Sequence, residues 1–116
     1  MNSLTVLMPS DLIIFLFISS LLLILIGSLL PAHWLPPLPN DKYLHFGGYA
    51  ILSAFAALLA SNMQVLFICL GGLIATGILI ECLQHFVPGR HFCWRDILAN
   101  TAGVCLIGIA SLFFYF

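Results

Sequence analysis

Between Leu12 and the proline cluster that begins at Pro31, nineteen consecutive residues carry no charge. As an α-helix rising about 1.5 Å per residue, such a run reaches across a hydrocarbon core about 30 Å thick. A cleaved signal segment would start with positive charge and hold a shorter apolar core. Residues 1–11 contain neither Lys nor Arg, so residues 12–30 read as a retained span, with Asp11 as its expected N-cap. Three further apolar runs follow, at about residues 43–60, 64–84 and 97–116. Only 6% of residues are charged and 63% are hydrophobic, whereas a soluble domain is about one-quarter charged. The expected fold class is all-α: a polytopic membrane protein forming a four-transmembrane-helix bundle, as one domain of 116 residues.

The connectors and helix faces can be read in the same way. Pro31, Pro36, Pro37 and Pro39 end the first helix and stiffen the link after it, and His33 and Trp34 there suit the membrane–water boundary. The second run carries Ser53, Ala54, Ala56, Ala57 and Ala60, small residues that let a neighbouring helix come close. Ser61-Asn62-Met63 is short enough to force an antiparallel return. Gly71, Gly72, Ala75 and Gly77 are expected to give the third helix a close-packing face as well. The four cysteines, Cys69, Cys82, Cys93 and Cys105, show no paired spacing and read as small apolar residues.

The polar residues are concentrated. Glu81, Gln84 and His85 at i, i+3 and i+4 share a helix face, as do Asp96, Asn100 and Gly103 at i, i+4 and i+7. Pro88-Gly89 interrupts the helix between them. Asp41, Lys42, His45 and Tyr49 fall within an arc of about 100° on the second helix. An up-and-down path puts all three sets at one membrane face, together with Lys42, Arg90 and Arg95. Ionisable groups inside a span cost about 2.5–3.5 kcal/mol at mid-bilayer and less near the ends, so they are expected to face a shared interior. Gly77, one turn below Glu81, would leave room there for a polar pocket one to two turns deep.

Simpler roles compete for most of these residues. Asp41 and Asp96 are placed to cap helix N-termini, the three cations could serve only topology, and His45 and Tyr49 could be interfacial. Glu81 resists such an account, because a carboxylate near a helix C-terminus meets the negative end of the dipole. It needs a cation, for which Arg90 or Arg95 is the expected partner, or it must keep its proton.

In this order and at these separations, Asp41-Lys42-x-x-His45-x-x-x-Tyr49, Glu81-x-x-Gln84, Pro88-Gly89-Arg90 and Asp96-Ile97-Leu98-Ala99-Asn100-x-x-Gly103 resemble the VanZ-like membrane protein family over about residues 40–108. The resemblance implies a small helical membrane protein of a family associated with glycopeptide (teicoplanin) resistance. It carries no settled reaction. Its marked positions here are Asp41, Lys42, His45, Tyr49, Glu81, Gln84, Arg90, Asp96, Asn100 and Gly103, while Cys93-Trp94-Arg95 departs from the pattern.

Three functions compete. First is a binding module for an anionic lipid headgroup or a lipid-linked envelope precursor, acting alone or beside a larger membrane partner. Its binding residues would be Asp41, Lys42, His45, Tyr49, Gln84, Arg90, Arg95 and Asn100. Second is a membrane-embedded hydrolase or group-transfer enzyme on a lipid-linked substrate, using Glu81, Asp96 and His85 as acid, base and orienting groups. Third is a structural or assembly subunit. No metal or other cofactor is expected: spacings among His45, His85, His91 and Cys93 match no zinc pattern, and no nucleotide-binding loop occurs. A net charge of −1 offers nothing to nucleic acid. Three Lys/Arg at one face and none at the other predict a cytoplasmic polar site with both termini outside, in a bacterial inner membrane.

Overall fold

The computed structural model describes residues 9–30, 41–89 and 94–114, the side chains at 41, 42 and 114 excepted. Four helices account for nearly all of them: α1 (Ser10–Leu29), α2 (Asp41–Leu59), α3 (Met63–Gln84) and α4 (Trp94–Phe114). No strand occurs among the described residues. α1, α3 and α4 are long and apolar enough to cross a bilayer, whereas the apolar part of α2, Tyr43–Leu59, is shorter. α2 compensates by enclosure. It packs against each of the other three helices, and most extensively against α4. A helix surrounded by protein needs less apolar surface than one surrounded by lipid.

The helices alternate in direction. Gly48 of α2 meets Ile24 of α1, Gly108 of α4 meets Leu70 of α3, and Gly103 of α4 meets Phe46 and Ala50 of α2. The ends of α1 and α3 therefore lie beside the starts of α2 and α4. Between α2 and α3, Asn62 caps the N-terminus of α3, its Oδ1 accepting from the Val65 N–H at 2.9 Å. An extended Asn at this position satisfies an otherwise orphaned donor and makes the tight reversal between Leu59 and Met63 stable.

One glycine fixes the packing of the parallel pair α2 and α4. A Cβ placed at Gly103 would collide with the Phe46 carbonyl oxygen and stand 3.0 Å from the Ala50 nitrogen. These are backbone atoms and cannot swing aside. Only a residue without a side chain permits the two helix backbones to touch here. Around the contact lies a core of Tyr49, Leu52, Ala56, Ala57, Leu66, Leu70, Leu73 and Val104.

Three local expectations are corrected. α1 is preceded by Pro9 as the cap position, with no side-chain cap bond, and Asp11 sits inside the first turn. Asp11 still favours that end electrostatically. α4 starts at Trp94, which makes Asp96 a residue of its first turn rather than its cap. Gly71, Gly72 and Ala75 are exposed, and nothing stands within 4 Å of a Cβ built at Gly71 or Gly72. Of the glycines on α3, Gly77 is the one that packs.

Candidate functional site

The end where α2 and α4 begin holds a buried polar cluster contributed by several helices. Glu81 and Gln84 project from the last turns of α3, Asp96 and Asn100 from the first turns of α4, and Tyr49 from the third turn of α2; all five are buried. His45, one turn before Tyr49, is 13% exposed at its side chain. Each helix supplies these groups by its period: Asp96 and Asn100, like His45 and Tyr49, are four residues apart and so lie on one face. Gly103 brings the α2 and α4 faces together.

His45 is the junction. Its Nδ1 lies 3.0 Å from Asn100 Oδ1 and its Nε2 lies 3.8 Å from Asp96 Oδ2. The first is a hydrogen bond between α2 and α4, and the second an electrostatic approach too long to be one. On the α3 side, a Cβ built at Gly77 would stand 3.1 Å from Asn100 Nδ2 and 3.4 Å from the Tyr49 hydroxyl. The space expected beside Gly77 is thus filled by Asn100 and Tyr49 rather than left as a hollow. Glu81 is fully buried one turn further along α3.

A second tie closes the cluster toward α1. Gln84 Nε2 donates to the Ser28 carbonyl oxygen at 2.6 Å. The last carbonyls of a helix lack intrahelical donors, and here a side chain from the end of α3 reaches one near the end of α1. Ser28 is itself buried. It was not among the sequence candidates, and its one signal is its place in the last turn of an otherwise apolar helix.

The site residues expected from sequence divide into three groups. The structure brings His45, Tyr49, Glu81, Gln84, Asp96 and Asn100 together. His85 departs from them. It follows the last helical residue, is exposed, and turns its ring edge-on to Phe86 with centroids 5.4 Å apart. The chain tightens just after it: Phe86 N–H bonds to Leu83 O and Val87 N–H to Gln84 O, the i→i−3 pattern common at a helix C-terminus. Gly89, at φ 76°, then takes the left-handed conformation that few other residues adopt readily. Arg95 is exposed in the first turn of α4. Arg90, together with His91 and Cys93, lies outside the described residues, as do the side chains of Asp41 and Lys42, so the expected pairing of Glu81 with Arg90 falls there too. Among the described residues, no three His, Cys, Asp or Glu side chains gather closely enough to hold a metal ion.

Comparison with known proteins bears on the whole chain. No curated protein and no solved structure matches it. The model of one family, VanZ/LLP1, matches residues 4–115, a range that takes in all four helices and every residue of the cluster. With its apolar helices and this match along nearly its full length, the chain is a membrane protein and belongs to the VanZ/LLP1 family.

Proposed function

We propose that the protein binds an anionic lipid headgroup, or the head of a lipid-linked envelope precursor, at the end of the bundle where α2 and α4 begin. One observation carries the reading: in a chain that is 6% charged, Glu81, Asp96, Gln84 and Asn100 are all buried at that end. Buried ionisable groups in a membrane are costly and are a mark of functional sites. The N-termini of α2 and α4 add partial positive charge there. Arg95 is exposed in the first turn of α4, and Lys42 and Arg90 are its neighbours by topology. A guanidinium grips phosphate or carboxylate oxygens in a bidentate way. The excess of Lys and Arg at this end favours a cytoplasmic site in an inner membrane, both termini outside. Sequestering or orienting such a lipid, beside a larger membrane partner, would accord with the family's association with teicoplanin resistance.

Lipid analysis tests the reading. Wild-type protein purified in mild detergent is expected to retain a phosphate-bearing lipid detectable by mass spectrometry, and Arg95→Ala or Arg90→Ala to lose most of it. Equal retention by all three proteins, or none by wild type, would remove its support.

The approach of Asp96 to His45 favours a second reading, a hydrolase or group-transfer enzyme on a lipid-linked substrate. His45 would then take the part that sequence gave to His85. Under that reading Asp96→Asn and Glu81→Gln variants express and insert normally but lose turnover. The interhelical bonds His45–Asn100 and Gln84–Ser28 favour a third, structural role, under which the same variants are lost from the membrane.

A further inference from the structure

Tyr49, Glu81, Gln84, Asp96 and Asn100 are between 0 and 5% exposed, so a headgroup reaches them only if the bundle opens. The seams around them are not equally firm. α2 and α4 meet backbone to backbone at Gly103, and Gly108 of α4 packs on Leu70 of α3. α2 and α3 touch each other less extensively than either touches α4. That third seam is the one α1 covers. Phe17, Leu21, Ile24 and Ser28 recur at helical spacing along one face of α1, and the first three pack against the core. Ile24 sits on Gly48 of α2, its Cδ1 3.0 Å from a Cβ built there. Ser28, one turn later, accepts the hydrogen bond from Gln84 of α3. Gly48 directly precedes Tyr49 in the chain. The end of α1 therefore bridges α2 and α3 at the level of the cluster.

α1 is also the least enclosed of the three long spans. In its apolar stretch 11% of residues are buried, against 33% in α3 and in α4. Lipid tails replace the contacts of Phe17, Leu21 and Ile24 with little loss, because the bilayer is as apolar as the side chains it would receive. The bond from Gln84 Nε2 to the Ser28 carbonyl, 2.6 Å long, has no such substitute in hydrocarbon. It has one in an anionic headgroup. A phosphate oxygen accepts from the same nitrogen, and a charged acceptor makes the stronger bond. The Ser28 carbonyl lies in the last turn of α1, at the end of the span, where water takes over. Exchanging one oxygen for another keeps Gln84 satisfied whether α1 is docked or displaced.

We propose that the end of α1 is a lateral gate over the seam between α2 and α3, latched by Gln84 on Ser28, and that an anionic headgroup opens it by replacing the Ser28 carbonyl on Gln84 Nε2. The proposal rests on the headgroup-binding reading above and gives that site its entrance. The head passes sideways from the bilayer between α2 and α3, rather than from water along the bundle axis. Such an entrance suits a ligand whose acyl chains stay in the membrane while its head moves inward. Gln84 then has two tasks, closing the empty site and holding the headgroup in the filled one. In consequence α1 moves as the ligand arrives, and holding α1 in place excludes the ligand.

Two measurements test the gate, both in protein whose four native cysteines are replaced by Ala. The first needs no ligand. Spin labels are attached through Ile26→Cys and Leu98→Cys, exposed positions on α1 and α4, and their separation is measured in detergent by pulsed electron paramagnetic resonance. α1 packs on α2 and α3, so unlatching it with Gln84→Leu is expected to broaden the distance distribution toward longer values. A distribution indifferent to Gln84→Leu overturns the latch. The second combines Ile24→Cys with Gly48→Cys. Ile24 Cγ1 stands 3.5 Å from a Cβ built at Gly48, close to disulfide reach, so oxidation tethers α1 and reduction frees it in one and the same protein. Affinity for fluorescent phosphatidylglycerol is expected to be weaker by about tenfold or more in the oxidised form, within the usual range for a conformational step coupled to binding, and to recover on reduction. Equal affinity in the two forms overturns the gate and leaves the headgroup reading standing. Absence of saturable binding with residues 24 and 48 unchanged overturns the headgroup reading and the ligand-driven opening together, and the distance measurement then decides the latch alone.

Discussion

The first helix and the contact between α2 and α4 obey opposite rules. α1 is the most apolar of the three long spans, yet only Ile13 and Ser28 are buried in it. Phe15, Ile18, Leu22, Leu23 and Ile26 all face outward. α2 and α4 carry most of the ionisable residues and many of the small ones, and they form the closest contact in the bundle. In water the ranking would be reversed, because burial there follows apolar area. In a bilayer the surroundings are as apolar as leucine, so a leucine gains little by leaving them. Close approach and interhelical hydrogen bonds decide what is enclosed. At the α2–α4 contact a glycine and polar side chains are therefore enclosed, while along α1 large aliphatic residues are left outside.

The same substitution at two glycines should give opposite results, and the larger effect is at the seam. Gly103→Ala places a Cβ into backbone atoms of Phe46 and Ala50. It is expected to destabilise the bundle by about 3 kcal/mol, the upper end for overpacking, read as a lowered thermal midpoint in detergent. A variant as stable as wild type would mean that α2 and α4 do not touch through Gly103. A middle-sized effect is expected where α1 joins the cluster. Gln84→Leu keeps apolar bulk but removes the bond to the Ser28 carbonyl. A loss of about 1 kcal/mol, in the range for hydrogen bonds between membrane helices, would show that α1 is tied at its end and otherwise packs loosely. No change would place α1 wholly with the lipid-facing side of the comparison. The smallest effect is at Gly71, where a Cβ has open space. Gly71→Ala should raise stability by at most about 1 kcal/mol, through helix propensity alone. A marked loss there would reveal a packed surface on the outer side of α3.

Part of the cluster was legible one helix at a time. Asp96 and Asn100, or His45 and Tyr49, fall on common faces by spacing, and the short Ser61-Asn62-Met63 turn brings those faces to one end. The choice between His45 and His85 was not legible. His85 satisfies the i+4 rule relative to Glu81, yet it stands just past the last helical residue and is exposed. His45 meets Asn100 across fifty-five positions of sequence, a distance over which periodicity carries no information. Gly77 shows the same limit. A glycine facing a cluster signals room, but whether that room stays open or is filled by Asn100 and Tyr49 depends on how near α2 and α4 stand.

What the amino-acid order settled unaided is the class of object: uncharged runs of bilayer length make helices in a membrane, because an unsatisfied peptide group in hydrocarbon is too costly for other arrangements. It also put the three polar sets of the second, third and fourth helices at a single end, since a path that alternates in direction returns there. Tertiary packing decided which of them touch. Gly103 removes one side chain, two backbones come together, and His45 is thereby placed within reach of Asn100 and Asp96 while His85 faces outward. Contacts of a few ångströms between separate helices depend on the shape of every intervening residue, and no local pattern encodes that sum.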